Sequence, residues 1–391
     1  MQYAVGRVHA FARTLARRRL PVVLLRGTTA AGREASILCA GKTLFYLPER
    51  FFCGTPEREL LGEVPVFRLE GVLRRLESEA DLTVISTDRY SSRLFFRDTC
   101  MSIPLWVGGV LEVPADTAAL VRGSHSVAED MRVVRREGLI TEVSSSPADF
   151  DTFYAGYYVP FTERRHGEMA SVSKRYWLER LFRTGGILWV LRNRERIAGV
   201  QFGKSGRELH LWAIGTAGGA PEPVKAGAFA ALYYHSVELA RKAGCVRVDF
   251  GGSRPSLTDG LLRFKRKWGV ALRDNPRNHY ELLMRVNRWN RNVTALLSTT
   301  PLIYREGGGF AGLAAIDSDQ PATQADTDRL RHFLWSDGLR CLSILSASGW
   351  EAGIKAPPRV SLLDCAPAGR PARLAGSRPA QPRREFGANW L

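Results

Sequence analysis

The chain has 391 residues, of which 45% are hydrophobic and 24% charged, so it can form two domains with full apolar cores and is not a largely disordered protein. Its net charge of +17 predicts an anionic partner such as a phosphate compound, a nucleic acid or a membrane surface. An Arg-rich coding composition is the alternative source of this charge, because only 8 of the 56 basic residues are Lys. None of the six cysteines has the C-x-x-C spacing of a zinc site or a redox dithiol, and we interpret them as reduced thiols.

The amino-terminal segment lacks the features of a membrane span or an export signal. No run of eighteen apolar residues occurs in the sequence. Arg13 and the basic run at residues 17–19 interrupt any apolar core in the first twenty residues, so we expect the protein to stay in the cytoplasm. Residues 5–20 have the spacing of a basic amphipathic helix, which either packs on its own domain or makes a peripheral contact with anionic lipid.

The first third of the chain alternates predicted strands and helices. Pro21–Arg26 and Leu82–Thr87 are β-branched and leucine-rich runs, which are typical of buried strands. Between them, Glu70–Glu79 has apolar residues at helical spacing. This alternation predicts an α/β layer domain over residues 1–125.

The next segment is predicted to begin with short elements. Residues 130–143 indicate two short strands around Gly138. Pro147 stands near the first turn of a helix that continues through Tyr157. A second helix covers residues 178–182 and ends at a pair of glycines.

Residues 187–250 predict three strands, a long helix and a fourth strand, in that order. Residues 187–202 form a hairpin around a tight turn. Glu208–Ile214 alternates polar and apolar residues, as a half-buried strand does. A loop rich in Gly, Ala and Pro leads into a helix over Val224–Ala243, and Val246–Phe250 is the strand that follows.

The pattern weakens towards the carboxyl terminus. We expect a short helix over 261–270, a strand over 280–286 and further strands at 302–303 and 339–345. Residues 365–391 consist of Ala, Pro, Gly and Arg without periodicity, which is typical of a disordered tail.

The loop before the long helix is a candidate anion site. A glycine-rich loop that enters a helix directs backbone N–H groups outwards together, and the helix dipole favours negative charge at the same place. Gly218 and Gly219 allow a ligand to approach the backbone, and Lys225 adds a positive charge. The alternative is an ordinary strand-to-helix turn with no ligand.

Four stretches resemble one known group of enzymes. Residues 249–269 read DFGGSRPSLTDGLLRFKRKWG, which resembles the signature of the FemAB-like branch of the GNAT acyltransferases: Asp-Phe-Gly-Gly after a strand, then Phe-Lys, two residues, an aromatic and Gly. The other three are DFDTFYAGYYVPFTERRHG at 149–167, GGILWVLRNRERIAGVQFG at 185–203 and VKAGAFAALYYHSVELARKAGC at 224–245. The resemblance covers roughly residues 100–290.

The resemblance implies an α/β (α+β) fold of two GNAT-like lobes, each a mixed, centrally splayed β-sheet flanked by helices. The first, degenerate lobe would span residues 1–125 and the acyltransferase lobe residues 126–290. Residues 291–364 would complete the fold, and residues 365–391 would be the disordered tail.

The function that the resemblance implies is transfer of an acyl group, most simply acetyl, from acyl-CoA to an amine or hydroxyl by direct transfer in a ternary complex. The acceptor would be a small or cell-envelope-related molecule, such as a polysaccharide or peptidoglycan precursor. Two alternatives stay open: an aminoacyl-tRNA-dependent transferase of the same fold, for which tRNA would be a partner, and an inactive GNAT scaffold that binds an anionic partner.

The implied site residues fall into three sets. The catalytic candidates are Asp249 as base or orienting group, Lys265 for stabilising charge, and His166 as an alternative base in a loop. The substrate-binding candidates are Arg165, Arg254 and Lys267. The donor-binding candidates are Trp212, Gly215, Gly218, Gly219, Val224, Lys225, Ala226 and Gly227.

Structural roles compete with these assignments. Asp249 in the turn after a strand has the position of a turn cap. Residues 265–267 also suit a solvated helix face. No cluster has metal-ligand spacing, so no metal is expected.

Overall fold

The computed structural model describes residues 19–41, 46–96, 99–166, 172–275 and 279–364. The basic helix predicted over residues 5–20 lies outside the described residues except for Arg19 and Leu20, which begin a strand. The tail predicted at 365–391 lies wholly outside them. Within the described ranges, no helix combines the length and apolar character needed to cross a bilayer.

The strands alternate with helices along most of the chain. In chain order the strands are β1 Arg19–Thr28, β2 Glu34–Ala40, β3 Glu57–Pro65, β4 Leu82–Asp88, β5 Met101–Pro104, β6 Val107–Glu112, β7 Ile140–Ser144, β8 Gly185–Arg192, β9 Glu195–Ser205, β10 Glu208–Thr216, β11 Arg247–Ser253, β12 Ala271–Arg273, β13 Tyr280–Val286, β14 Leu302–Glu306, β15 Gly309–Ile316, β16 Leu339–Ser346 and β17 Val360–Asp364.

The helices are short, apart from one long helix near the middle of the chain. They are α1 Tyr46–Phe51, α2 Val66–Leu76, α3 Arg89–Phe95, α4 Ala118–Arg122, α5 His125–Arg136, α6 Pro147–Phe153, α7 Val159–His166, α8 Arg175–Phe182, α9 Glu222–Lys225, α10 Ala228–Lys242, α11 Gly260–Lys267, α12 Arg291–Thr299 and α13 Gln324–Leu334. A π-helical turn, Tyr154–Tyr158, joins α6 to α7.

The first of two compact units comprises residues 19–106, 255–258 and 279–364 of the described chain. Its larger sheet has the order β3-β1-β2-β4-β13-β5, in which only β2 and β4 are parallel neighbours. A second sheet has the order β14-β15-β16-β17 and shares an apolar cluster with the larger one. Leu69 and Leu73 of α2 pack on the other face of the larger sheet.

The second unit comprises residues 107–254 and 259–275. Its sheet has the order β12-β6-β11-β10-β9-β8-β7, in which β10 and β11 are parallel and the other neighbours antiparallel. One face packs against α5 and α10, and the other packs against α6 and α8 around the buried Trp189.

The two larger sheets have the same order of strand directions around the parallel pair, with antiparallel strands on both sides. This confirms the expected α/β fold of two lobes, each a mixed sheet flanked by helices. The strands predicted near residues 21–26, 82–87, 187–202, 208–214, 246–250 and 280–286 are also confirmed.

The division between the units differs from the boundary predicted at residue 125. Strand β6 belongs to the second unit because it pairs with β11, so the chain enters that unit at residue 107. Strand β13, expected in the second lobe, pairs with β4 and lies in the first. Residues 291–364, expected to complete the fold, form the smaller sheet and two helices of the first unit.

Two local predictions are wrong. Residues 130–143 do not form two strands, because α5 extends to Arg136 and buries Val127, Met131 and Val134 on one side. The Ser124 hydroxyl accepts a hydrogen bond from the N–H of Val127 and caps this helix. Only β7 is extended.

Arg165 and His166 do not lie in a loop. They form the last turn of α7, which continues α6 through the π-helical turn. A π-helical turn inserts one residue into the helical repeat without ending the helix, and such turns occur frequently at functional sites.

Candidate functional site

The helix that connects β10 to β11 begins later than the sequence predicts. Gly227 has a φ of +89° and separates α9 from α10, which starts at Ala228. Gly227 has no side chain to cap the helix, and the first intrahelical bond at this end runs from the Ala231 N–H to the Gly227 carbonyl. The N–H groups of residues 228–230 are therefore left for an external acceptor.

A cleft of about 270 Å³ lies at this helix end. Its walls come from α5, α7, α9, α10 and α11. The lining residues are Asp130, Val133, Arg165, Val224, Lys225, Gly227, Phe229, Ala230, Gly260, Leu261 and Phe264. Four residues predicted to bind donor or substrate, Arg165, Val224, Lys225 and Gly227, are thus brought together.

Basic side chains surround the cleft. Lys225 is exposed in the last turn of α9, and the exposed Arg165 guanidinium lies 5.8 Å from the ring centre of Phe161. Lys267 forms an ion pair with Asp130 and lies 4.4 Å from the ring centre of Phe264. Together with the helix dipole, these charges make the cleft suitable for an anion.

The parallel strands β10 and β11 separate beside this region. They pair at only three positions, the last of which is His210 with Asp249. Beyond it β10 continues to Thr216 against β9, and β11 continues to Ser253 against β6. The facing edges of the two strands therefore have backbone groups outside either ladder, and we call the space between them the strand gap.

The backbone is irregular on both sides of the strand gap. The register of β10 against β9 shifts between Leu211 and Ala213, which makes Trp212 a bulge residue. The register of β11 against β6 shifts between Asp249 and Gly252. Bulges of this kind frequently occur next to active sites, where they redirect backbone and side-chain groups.

Lys265 holds the irregular part of β11. Its ammonium group donates to the carbonyls of Gly251 at 3.0 Å and Gly252 at 2.9 Å, and its side chain is 1% exposed. Burial lowers the pKa of this amine to about 7, although the charges of Asp249 and Asp259 oppose the change. The lysine predicted to stabilise a substrate charge therefore contacts the chain's own backbone.

Asp249 belongs to a polar cluster rather than standing alone as a turn cap. Its Oδ2 lies 3.1 Å from His210 Nδ1 and accepts from Arg273 at 2.5 Å, while its Oδ1 accepts from the Gly251 N–H at 2.9 Å. Burial favours the neutral acid, but the hydrogen bond with His210 and the charge of Arg273 outweigh it and lower the pKa of Asp249. Arg273 also donates to Glu208 at 2.6 Å.

The cluster includes three residues that sequence reasoning missed: Glu208, His210 and Arg273. Glu208, His210 and Asp249 bring three potential metal-binding atoms within 4.8 Å of one another. Because the Arg273 guanidinium already contacts both carboxylates, a cationic group fills this place and we assign no metal site. His210 also stacks on Trp212, with ring centres 4.9 Å apart.

Several predicted donor residues have a packing role. A Cβ on Gly215 would lie 2.4 Å from the Tyr157 carbonyl oxygen, and one on Gly219 would lie 2.7 Å from the Pro160 carbonyl. These glycines are therefore needed so that the π-helical turn and α7 can pack closely against them. Gly218 has open space around its Cα, with a φ of +56°, and Ala226 is buried beside α10.

The remaining predicted residues are more dispersed. Trp212, the bulge residue, lies on the strand gap rather than in the cleft. Arg254 directly follows β11. His166 ends α7 one residue after Arg165, a cleft residue.

Comparison with known proteins gives one family match. Residues 125–266 match the family model of the acetyltransferase (GNAT) domain, which covers most of the second unit. No curated protein matches the sequence.

Solved structures give a weaker likeness. FemX is 11% identical with a TM-score of 0.37, covering 68% of this chain and 87% of its own. L-PGS from Bacillus licheniformis is 12% identical with a TM-score of 0.32, covering 69% and 86%. A GCN5-related N-acetyltransferase from Sphaerobacter thermophilus is 12% identical with a TM-score of 0.32, covering 67% and 79%. These values are too low to indicate a donor or an acceptor.

Proposed function

Because residues 125–266 form a GNAT acetyltransferase domain, we propose that this protein transfers an acyl group, most simply acetyl, from acyl-CoA to an amine or hydroxyl. The observation that carries the proposal is the strand gap between β10 and β11, together with the cleft at the amino-terminal end of α10. The resemblance of residues 249–269 to FemAB-like enzymes supports a small or cell-envelope-related acceptor.

The first turn of α10 suits the phosphates of acyl-CoA. Backbone N–H groups of residues 228–230 have no helical acceptor, and the positive end of the helix dipole lies at the same place. Lys225 adds an exposed positive charge on the cleft wall. Arg165 supplies a second cation there, and Lys267 offsets the negative charge of Asp130.

The strand gap suits the extended arm of the same donor. An amide-bearing chain can pair with the facing edges of β10 and β11 as an added strand would, since both edges have backbone groups outside the ladders. Bound acyl-CoA would supply an activated thioester at the gap. Backbone N–H groups of β10 between Trp212 and Gly215 would donate to the acyl oxygen as it gains negative charge.

Lys265 and Arg254 take supporting roles in this proposal. Lys265 keeps β11 away from β10 by holding the carbonyls of Gly251 and Gly252, so it positions the gap. Arg254, at the end of β11, provides a positive charge for an anionic part of either substrate.

Calorimetric titration with acetyl-CoA at moderate salt tests the donor. We expect saturable binding, and Lys225→Glu should weaken it roughly 10- to 100-fold, which corresponds to about 1.5–3 kcal/mol for one charge-assisted hydrogen bond. Lys242→Glu makes the same change of charge at the other end of α10 and should have little effect. Absence of binding at millimolar ligand, or equal losses in both variants, would contradict the acyl-CoA proposal.

The net charge of +17 favours a second candidate donor, an aminoacyl-tRNA. This candidate requires tRNA affinity that falls steeply with salt, because each phosphate contact releases a counterion. Titration of tRNA at two salt concentrations, with and without acetyl-CoA, separates the donors. Competition between them would place both at the same site.

A further inference from the structure

We propose that His210 is the catalytic base that takes the proton from the acceptor, and that Asp249 and Arg273 are the residues that position it. The inference rests on the proposed acyl transfer and adds its proton acceptor. His210 lies on β10 and is not one of the residues that line the donor cleft.

The imidazole is held from two directions. Its Nδ1 lies 3.1 Å from Asp249 Oδ2, and its ring lies nearly parallel to that of Trp212, at 13°. Donation from Nδ1–H to the carboxylate leaves Nε2 with a lone pair in the neutral ring. The ring therefore has a fixed orientation and one nitrogen available to accept a proton.

The carboxylate that holds the ring is itself fixed at both oxygens. The Gly251 N–H donates to Oδ1 at 2.9 Å, and Arg273 donates to Oδ2 at 2.5 Å. Asp249 therefore has little freedom to act as a mobile base. Its hydrogen bonds favour the ionised form, which suits an orienting carboxylate better than a proton acceptor.

His210 occupies the end of the strand gap. It belongs to the last pair that joins β10 to β11, so the strands separate directly beyond it. Leu209 and Leu211 belong to the apolar cluster that contains α10, and because side chains alternate along a strand, His210 faces the opposite side of the sheet. A group that reaches through the gap from the α10 side would emerge beside the imidazole.

Charges from three strands surround the ring. Glu208 on β10 lies 3.6 Å from Nδ1, Asp249 comes from β11, and Arg273 from β12 contacts both carboxylates. Two carboxylates and one guanidinium therefore lie around the imidazole. Lys265 on α11 interacts electrostatically with Asp249.

The acceptor nitrogen or oxygen forms a bond to the acyl carbon while Nε2 of His210 takes its proton. The carbon–sulfur bond breaks with its electron pair on sulfur, and the imidazolium returns the proton to that thiolate. The products are the acylated acceptor and free CoA, and Asp249 stays ionised throughout.

The first test compares His210→Gln with His235→Gln. His235 is a matched control because its Nδ1 also pairs with a carboxylate, Glu238 at 2.8 Å, but on α10. Thiol release from acetyl-CoA, with water as the acceptor probe, is followed by a thiol-reactive dye, and binding is followed by calorimetry. We expect turnover in His210→Gln to fall roughly 100- to 10,000-fold with unchanged affinity for acetyl-CoA, and His235→Gln to behave as wild type.

A pH profile separates proton transfer from a structural role. A reaction that needs a free base slows towards acid pH, so wild-type turnover should show this dependence and the residual activity of His210→Gln should not. Added imidazole should restore part of the lost activity. Asp249→Asn combined with His210→Gln should cost little more than His210→Gln alone, because the two residues act as a unit.

Wild-type turnover in His210→Gln, or a loss of turnover only in proportion to lost acetyl-CoA binding, would overturn this assignment while the proposed donor stands. A wild-type protein that binds acetyl-CoA but releases no thiol above the buffer rate would also overturn it. Absence of acetyl-CoA binding would instead remove the proposed function.

Discussion

The two larger sheets have the same order of strand directions, yet they differ directly beyond their parallel pairs. In the first unit, Gly41 follows β2 so closely against β4 that an added Cβ would lie 2.4 Å from the Ser86 oxygen. In the second unit, β10 and β11 extend past their last shared pair at His210 and Asp249 and leave the strand gap. In the first unit the backbones of the two strands stay in contact, whereas in the second unit both strands have register shifts and buried Lys265 binds two carbonyls of β11.

The last residue pairs of the two parallel strand pairs also differ in the polarity of their side chains. Ala40 and Ile85, the last parallel pair of the first unit, are both buried. The pair His210 and Asp249 carries hydrogen bonds and charges in the second. The second unit therefore differs from the first in two ways: its central strands extend beyond their last shared pair, and that pair is polar. Both features belong to the proposed site.

The largest expected effect concerns Lys265, the buried lysine that binds two carbonyls of β11. With the pKa of Lys265 near 7 in the folded protein and 10.5 as its ordinary value, the unfolded chain binds one more proton between these limits. Stability should therefore rise with pH in this window, by about 1.4 kcal/mol per pH unit, and the dependence should vanish below pH 7.

Urea unfolding of wild type and Lys265→Met at pH 7.5, 8.5 and 9.5 measures this effect. The difference in unfolding free energy between the two proteins should grow in favour of wild type as pH rises, because only wild type has the buried amine. Parallel stability curves would mean that the two carbonyl partners keep Lys265 charged in the fold.

The next largest effect concerns Gly41, where β2 lies against β4 in the first unit. Gly41→Ala should cost roughly 2–4 kcal/mol, because it adds a clash with Ser86 to the strain of a left-handed conformation. Gly54→Ala is the matched control in the first unit, since it has positive φ and open space, and it should cost only about 1–2 kcal/mol. Equal losses in thermal or urea unfolding would mean that the first sheet is not closed at Gly41.

Gly251→Ala makes the corresponding change at the strand gap of the second unit. Its Cβ would lie 3.4 Å from the Leu211 oxygen, across the gap, and its φ is +69°. We expect Gly251→Ala to lose about as much stability as Gly54→Ala. In addition, acyl transfer should fall roughly 100-fold, because the added methyl group misplaces the donor. Unchanged turnover would show that the donor does not pass between these strands.

The smallest expected effects come from removing one ion pair from each of the two larger sheets. Arg196 makes two hydrogen bonds to Asp149, at 2.6 and 3.2 Å, and stacks 4.6 Å from the Trp189 ring centre. Arg196→Ala should cost about 1–2 kcal/mol. Arg26 pairs with Glu59 at the surface of the first sheet, with both side chains about half exposed, and Arg26→Ala should cost under about 1 kcal/mol. Denaturant midpoints for both variants check the order.

Elements defined by local patterns could be predicted from the sequence. Alternation in Glu208–Ile214 and the apolar stripe of the long helix indicated β10 and α10, and the glycine-rich entry indicated the helix end where the cleft lies. The helix over residues 125–136 is not evident from residues 130–143 alone, because its capping Ser124 and its first buried residue, Val127, precede them.

Features that depend on long-range pairing could not be predicted. Nothing near Tyr280 indicates that β13 inserts beside β4, about 190 residues earlier in the chain. The same limit applied to the site. Asp249 was recognised from its motif, but its partners His210 and Arg273 stand on other strands, and only the sheet register brings them together.

The exchange of β13 into the first sheet has a consequence for synthesis of the chain. When β4 leaves the ribosome, the strand that will cover its free edge is still about 190 residues from being made. At elongation rates of about 5–20 residues per second, this leaves the edge uncovered for roughly 10–40 s. During this interval β4 presents an unpaired strand edge, which can pair with another chain and so favours aggregation of a nascent chain stalled within the second lobe.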